Sequence, residues 1–173
     1  MQGYCYMWIS MDIPQDKLNK TKELAEEFYK SIGEIHCPYL KDSVSFNVKG
    51  LDHIKFKMFG QARPSKDQYM RLRLLKLAPI ILKQSHTLQE IFETNSFEKI
   101  RSNQKWNFKM LPVRYFAFVS IINNCRIKII IKQVDNGKLF FWSIVPFWKM
   151  NRVKNCGLVE TKKIFHDGDL ETQ

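Results

Sequence analysis

Lys128, Lys132 and Ser143 are the residues whose types and spacing first suggest chemistry. They lie in residues 113–146, VRYFAFVSIINNCRIKIIIKQVDNGKLFFWSIVP, which read as three antiparallel strands joined by two tight turns. Side chains alternate between the two faces of a strand, so Lys128 and Lys132 share a face. Pairing across the turns brings Ser143, Tyr115 and Phe141 to that same face. Two ammonium groups, a hydroxyl and two aromatic rings can hold an anionic polymer. The lysines meet phosphates, the hydroxyl donates to a phosphate oxygen, and the rings stack on bases, which suits single-stranded RNA. The chain carries 28 Lys and Arg against 17 Asp and Glu, a formal net charge of +11, so an anionic partner is expected. The plainer reading is a solvated sheet surface, where lysines are common and discourage edge pairing.

The turns set this register. Asn136-Gly137 is a strong two-residue hairpin signal, because both residues tolerate positive φ. It predicts Lys132 opposite Phe141, Ile130 opposite Ser143 and Lys128 opposite Val145. Asn123-Asn124, a weaker turn, predicts Tyr115 opposite Lys132, Ala117 opposite Ile130 and Val119 opposite Lys128. The other face then carries Phe116, Phe118, Ser120, Ile127, Ile129, Ile131, Phe140, Trp142 and Ile144. It is nearly all apolar and must pack against helices; a one-residue slip would bury the lysines instead.

Those helices are read upstream. Pro14 suits a first turn, and Leu18, Leu24, Ala25 and Phe28 recur at helical spacing before Gly33, predicting a helix over 14–32. SVSFNV at 43–48 alternates as a short strand. Residues 49–65 read as a loop or short helical turn rich in donors: His53, Lys55, Lys57 and Arg63. A longer helix is expected over 65–83, kinked or divided at Pro79. Thr87 with Glu90 resembles a capping box opening a short helix to about Glu93, and 94–112 reads as a loop. Taken singly, Lys55, Lys57, Arg71 and Arg73 read as solvated charges. The expected architecture is α+β, with N-terminal helices packed on one face of an antiparallel β-meander. It forms one domain over residues 1–150, followed by an extension at 151–173 that offers an edge strand and then a polar tail.

Composition removes several classes of function. With 45% hydrophobic residues the chain can bury a core, unlike a disordered basic tail. Cys5, Cys37, Cys125 and Cys156 form no C-x-x-C pair, and His36, His53, His86 and His166 show no ligand spacing. We therefore expect no metal, no cofactor and reduced thiols in a cytoplasmic setting. No apolar run approaches the length of a membrane span, and the N-terminus has no basic leader before an apolar core, so neither membrane insertion nor a signal peptide is expected.

The order of helix, short strand, Gly50-Leu51-Asp52-His53-Ile54, long helix and the strand pair RIKIIIKQVDNGKLFFWSIVP resembles the barnase–EndoU–colicin–RelE (BECR) ribonuclease superfamily, in particular its phage-encoded and toxin-like members. Ser143 shortly before Pro146 is similar to that family's last active-site strand. The likeness spans about residues 14–148 and departs from better-known members at 94–112 and in the C-terminal extension. It implies metal-independent cleavage of single-stranded RNA, tRNA or mRNA, with a 2′-hydroxyl attacking the adjacent phosphate. A base, an acid and cations for the crowded phosphorane are then required. The roles it implies are His53 as acid or base, Lys132 and Lys128 as phosphate cations, and Ser143 as the phosphate-positioning donor. Tyr115, Arg63, Lys55 and Phe141 would bind substrate. His86 is the competing choice for the family histidine. An acidic inhibitor or antitoxin protein is the partner such a toxin would need. Two other classes stay open: a non-catalytic RNA-binding module of the same shape, and a basic domain that binds an acidic protein.

Overall fold

A computed structural model describes residues 13–57, 60–102, 104–122 and 125–147; the expected C-terminal extension at 151–173 lies outside them. The first helix, α1 (Gln15–Ile32), ends where Gly33 takes a left-handed φ of 68°. Two short strands, β1 (Glu34–Cys37) and β2 (Asp42–Ser45), form a hairpin. Asn47 caps α2 (Val48–Lys55), its side-chain oxygen accepting from the Gly50 amide. Then come α3 (Ser65–Leu74), a 3₁₀ turn over Leu75–Leu77, and α4 (Ala78–Lys83). Pro79 therefore divides the expected 65–83 helix by sitting in the first turn of its last piece, where no intrahelical N–H is lost.

The remaining strands are β3 (Glu90–Ser102), β4 (Lys105–Ile122), β5 (Cys125–Val134) and β6 (Phe140–Phe147). The six strands form one mixed sheet in the order β1-β2-β6-β5-β4-β3. All neighbours are antiparallel except β2 and β6, which touch in parallel through one register pair, Ser45 and Phe140. The helices and sheet share a core centred on Ile54, Leu75, Leu82, Phe118, Ile129, Ile131, Phe141 and Ile144. No helix among the described residues is long and apolar enough to cross a membrane.

Several expectations need correction. Residues 90–112 are neither short helix nor loop. They form two long strands paired from Glu90–Ala117 to Ser102–Lys105. Partner-strand hydrogen bonding and alternating exposure override the local capping signal at Thr87. In α1 the buried face is Leu18, Ala25 and Tyr29, while Leu24 and Phe28 are exposed. Tyr29 was missed because its hydroxyl masks a ring that is 2% exposed.

The most consequential correction is in β6. The pairs Tyr115–Lys132, Ala117–Ile130, Val119–Lys128, Ile130–Ser143 and Lys128–Val145 form as the turns predict. Between Ile130 and Ile131 a bulge shifts the register, so Ile131 faces Phe141 and Lys132 faces Phe140. The Asn136-Gly137 turn is not a two-residue hairpin. Residues 135–139 connect the strands, with Asp135 at φ 53°. One extra residue in β6 turns Phe141 away from the lysines and into the core, where it stacks on Phe46 at 4.8 Å and meets Tyr29 edge-on. Phe140 and Trp142 leave the expected apolar face: Phe140 pairs with Lys132, and Trp142 packs with Tyr115 and Ile130.

α2 meets β6 closely because Gly50 has no side chain. A Cβ there would overlap the Phe141 carbonyl oxygen and sit 2.6 Å from the Tyr29 hydroxyl. That hydroxyl donates to the Asn47 carbonyl at 2.9 Å. Burial, with the Asp52 charge adding to it, pushes the Tyr29 phenol well above its ordinary range. Gly50→Ala should destabilise the fold by about 2–3 kcal/mol despite alanine's better helix propensity, read as a lower urea midpoint. Because the folded state holds the Tyr29 proton longer than the unfolded chain, stability should fall as pH rises above about 10. The difference between parent and Tyr29→Phe in alkaline urea titrations isolates this component; equal slopes for the two proteins would refute it.

Candidate functional site

β2 pairs with β6 at Phe140 alone, so beyond it the helices meet β6. There the sequence-predicted residues separate into those brought together and those sent elsewhere. His53, on the last turn of α2, is half-buried and stacks on Trp142 with ring centroids 3.9 Å apart and 22° between planes. Trp142 is available for this because the bulge releases it from the core face. Arg63, just before α3, is 4% exposed. Its Nε donates to the His53 carbonyl at 2.9 Å, and its Nη2 lies 3.3 Å from His53 Nε2. A guanidinium can only donate, so a hydrogen bond across that gap uses the Nε2 lone pair and leaves the imidazole proton on Nδ1.

Arg63, Asp67 and Arg71 follow one another at four-residue steps, the last two in α3 and Arg63 just before it. Asp67 receives Arg63 Nη1 at 3.5 Å and Arg71 Nε at 2.8 Å. Arg71 Nη1 donates to Ser143 Oγ at 2.7 Å and to the Ile144 carbonyl at 3.3 Å. Ser143 is fully buried, so it holds α3 against β6 through Arg71. Arg71 is thus a buried linker and not the solvated charge its sequence context suggests. Two guanidiniums share the Asp67 carboxylate, and the Arg63 one also reaches His53.

The two lysines do lie on the Ser143 face, flanking Ile130, but each is closed by a carboxylate from β3. Lys128 Nζ is 2.8 Å from Glu90 Oε2, and Lys132 Nζ is 2.7 Å from Glu98 Oε1. Lys132 also lies 4.2 Å from the Trp142 ring centroid and 5.4 Å from that of Tyr115. Burial lowers its ammonium pKa from the ordinary lysine value, the Glu98 hydrogen bond and charge oppose that, and the nearby Lys49 charge adds slightly to the lowering. An incoming phosphate would have to displace Glu90 or Glu98 to reach either lysine.

Tyr115 is buried with Val113 and Ile130, next to Phe92 and Trp142. Phe141 is in the core, so it cannot stack on a ligand at this face. The Lys55 ammonium pairs with Glu26 of α1 at 3.1 Å and with Asp52 at 3.9 Å, while its carbonyl accepts from the Arg63 amide at 3.0 Å. His86 is exposed on the α4–β3 connection. Cys37 is a buried free thiol whose pKa burial raises. Among the described residues no three His, Cys, Asp or Glu side chains gather as a metal site.

Sequence reasoning missed Asp67, Arg71, Trp142, Glu90 and Glu98. The four-residue spacing of Asp67 and Arg71 was visible and could have placed them on one helical face, with Arg63 four residues before Asp67. Glu90 and Glu98 gave no such signal, since they line up only once β3 is known to be a strand. No protein-family model, curated protein or solved structure matches the chain.

Removing one member of a buried ion pair strands the other. Glu98→Ala should cost about 3 kcal/mol of stability, whereas the double change Glu98→Leu with Lys132→Met should recover most of it. Chemical denaturation of the three variants checks this. A double variant no better than Glu98→Ala would show that packing, not charge, sets the loss.

Proposed function

We propose that this chain binds single-stranded RNA beside Trp142 and cleaves it without a metal, with His53 and Arg63 at the reaction centre. The observation that supports this reading is the half-buried His53 imidazole, stacked on Trp142 with its Nε2 3.3 Å from the Arg63 guanidinium. In this reading a substrate phosphate draws Arg63 from His53 and frees the Nε2 lone pair. Nε2 takes the ribose 2′-hydroxyl proton, the oxygen attacks phosphorus, and the bond to the 5′-oxygen breaks. That oxygen takes a proton from water and leaves as a 5′-hydroxyl, and the other fragment ends in a 2′,3′-cyclic phosphate. Arg63 stabilises the phosphorane, with Arg71 adding positive charge behind it. Lys128 and Lys132 move to a supporting role: their carboxylate partners keep them as organisers of the face. An acidic protein covering this region would be the natural inhibitor, since opposite charge speeds its association.

The closed lysines favour a second reading, an RNA-binding module without catalysis. Purified protein incubated in EDTA with several RNA classes, followed by mapping of product ends, separates the two. The enzyme reading expects cyclic-phosphate ends, with His53→Ala about 10²-fold slower or worse while its RNA affinity stays near the parent's. Arg63→Gln should slow cleavage and also weaken binding. RNA that stays intact at high protein concentration but shifts in a salt-dependent binding assay would leave the binding module. Intact RNA with no binding would remove both.

A further inference from the structure

Beyond Thr94 and Val113, β3 and β4 continue with no third strand beside them among the described residues, forming a two-stranded arm over residues 95–102 and 105–111. One face of the arm holds the cross-strand pairs Phe97–Met110, Lys99–Phe108 and Arg101–Trp106. Phe97, Trp106, Phe108 and Met110 are 67%, 61%, 71% and 49% exposed, so this is an open aromatic surface rather than a rim of the core. Lys99 Nζ lies 5.1 Å from the Trp106 ring centroid. The arm's carboxylate, Glu98, points to the opposite face and is occupied by Lys132. The aromatic face therefore carries two cations and no anion, and Lys105 and Lys109 add positive charge from the other side.

We propose that this face, centred on Phe97, Lys99, Arg101, Trp106 and Phe108, is a stacking platform for single-stranded RNA. The proposal rests on RNA as the ligand, as above, but not on cleavage. Bases have flat faces that stack on exposed rings whatever their sequence, and the alternating cations meet the phosphates between them. Trp106 and Phe108 are two residues apart on one strand, about 6.8 Å, or twice the ~3.4 Å step of stacked bases. That spacing admits one base between two rings. A duplex would keep its bases stacked on each other and away from these rings. Gln104, in the turn before β4, and Lys105 are polar, which disfavours insertion into a bilayer from that end. Two copies meeting face to face would bring Lys99 and Arg101 of both together in a protein of net charge +11. The platform ends at the base of the arm, where Glu93, Arg114 and Asp135 line an open cavity of about 370 Å³.

The test uses the full chain and a fluorescent single-stranded 2′-O-methyl oligoribonucleotide, whose blocked 2′-oxygen cannot attack. Binding is thus read whether or not the protein cleaves RNA. Trp106→Ala with Phe108→Ala should weaken binding about 10- to 100-fold. Lys99→Gln with Arg101→Gln should reduce the slope of log affinity against log salt by about 1.4. Lys138→Gln, an exposed cation near Glu34 and away from the arm, should bind like the parent. These are surface changes, and circular dichroism confirms that each variant is folded. Folded arm variants with unchanged affinity overturn the proposal. So does loss of binding to phosphatidylserine vesicles, or conversion of a dimer to a monomer in sedimentation, if oligonucleotide affinity stays unchanged. Failure of EDTA-resistant cleavage with this binding pattern intact would reject the enzyme and leave the platform standing.

Discussion

The arrangement around His53 depends on a single extra residue in β6. Opposite Ile130 and Ile131 the ladder slips by one, and three aromatic side chains change places as a result. Phe141 enters the core and completes a cluster of three rings with Phe46 and Tyr29. Trp142 moves to the other side, where it carries the His53 ring and approaches Lys132. A regular strand would place Trp142 in the core and Phe141 among the lysines, leaving the imidazole without its stacking partner. Bulges commonly re-aim one side chain at a functional site, and this one does so while keeping Ser143 opposite Ile130.

Charge is handled differently on the two sides of that bulge. Lys128 and Lys132 are taken out of water, and each is matched by one glutamate from β3. Such pairs gain little net stability over apolar residues, because desolvation offsets most of the attraction. Their effect is positional: they join β3 to the face of β5 and fix which side of the arm Glu98 occupies. Around α3 one carboxylate serves two cations. Arg63 and Arg71 share Asp67 and also bond neutral groups: the His53 carbonyl, Ser143 Oγ and the Ile144 carbonyl.

The long β3–β4 hairpin connects these features to the outer surface. Its even-numbered β3 positions face Lys132 and are partly covered, while its odd-numbered positions are exposed. A strand has two faces with independent neighbours, so one segment can close the lysines with Glu98 and present Phe97, Lys99 and Arg101 to solvent. Read locally, residues 90–112 gave a capping box and a polar stretch. Their strand identity comes from pairing with β4, a non-local interaction that local propensity does not contain.

Sequence alone determined the mixed α+β class, the β4–β5 register, the shared face of Lys128, Lys132 and Ser143, and the division of the long helix at Pro79. Each follows from period-2 alternation, turn chemistry or proline's missing donor, all of which act within a few residues. Tertiary structure decided that the lysines are paired, that Arg71 is buried, that Phe141 and Trp142 exchange faces and that His53 meets Arg63. Those outcomes depend on which distant groups share space after packing. A carboxylate from β3 can neutralise a lysine of β5 only across the sheet, and a bulge between Ile130 and Ile131 is invisible until two strands must fit a core of fixed shape.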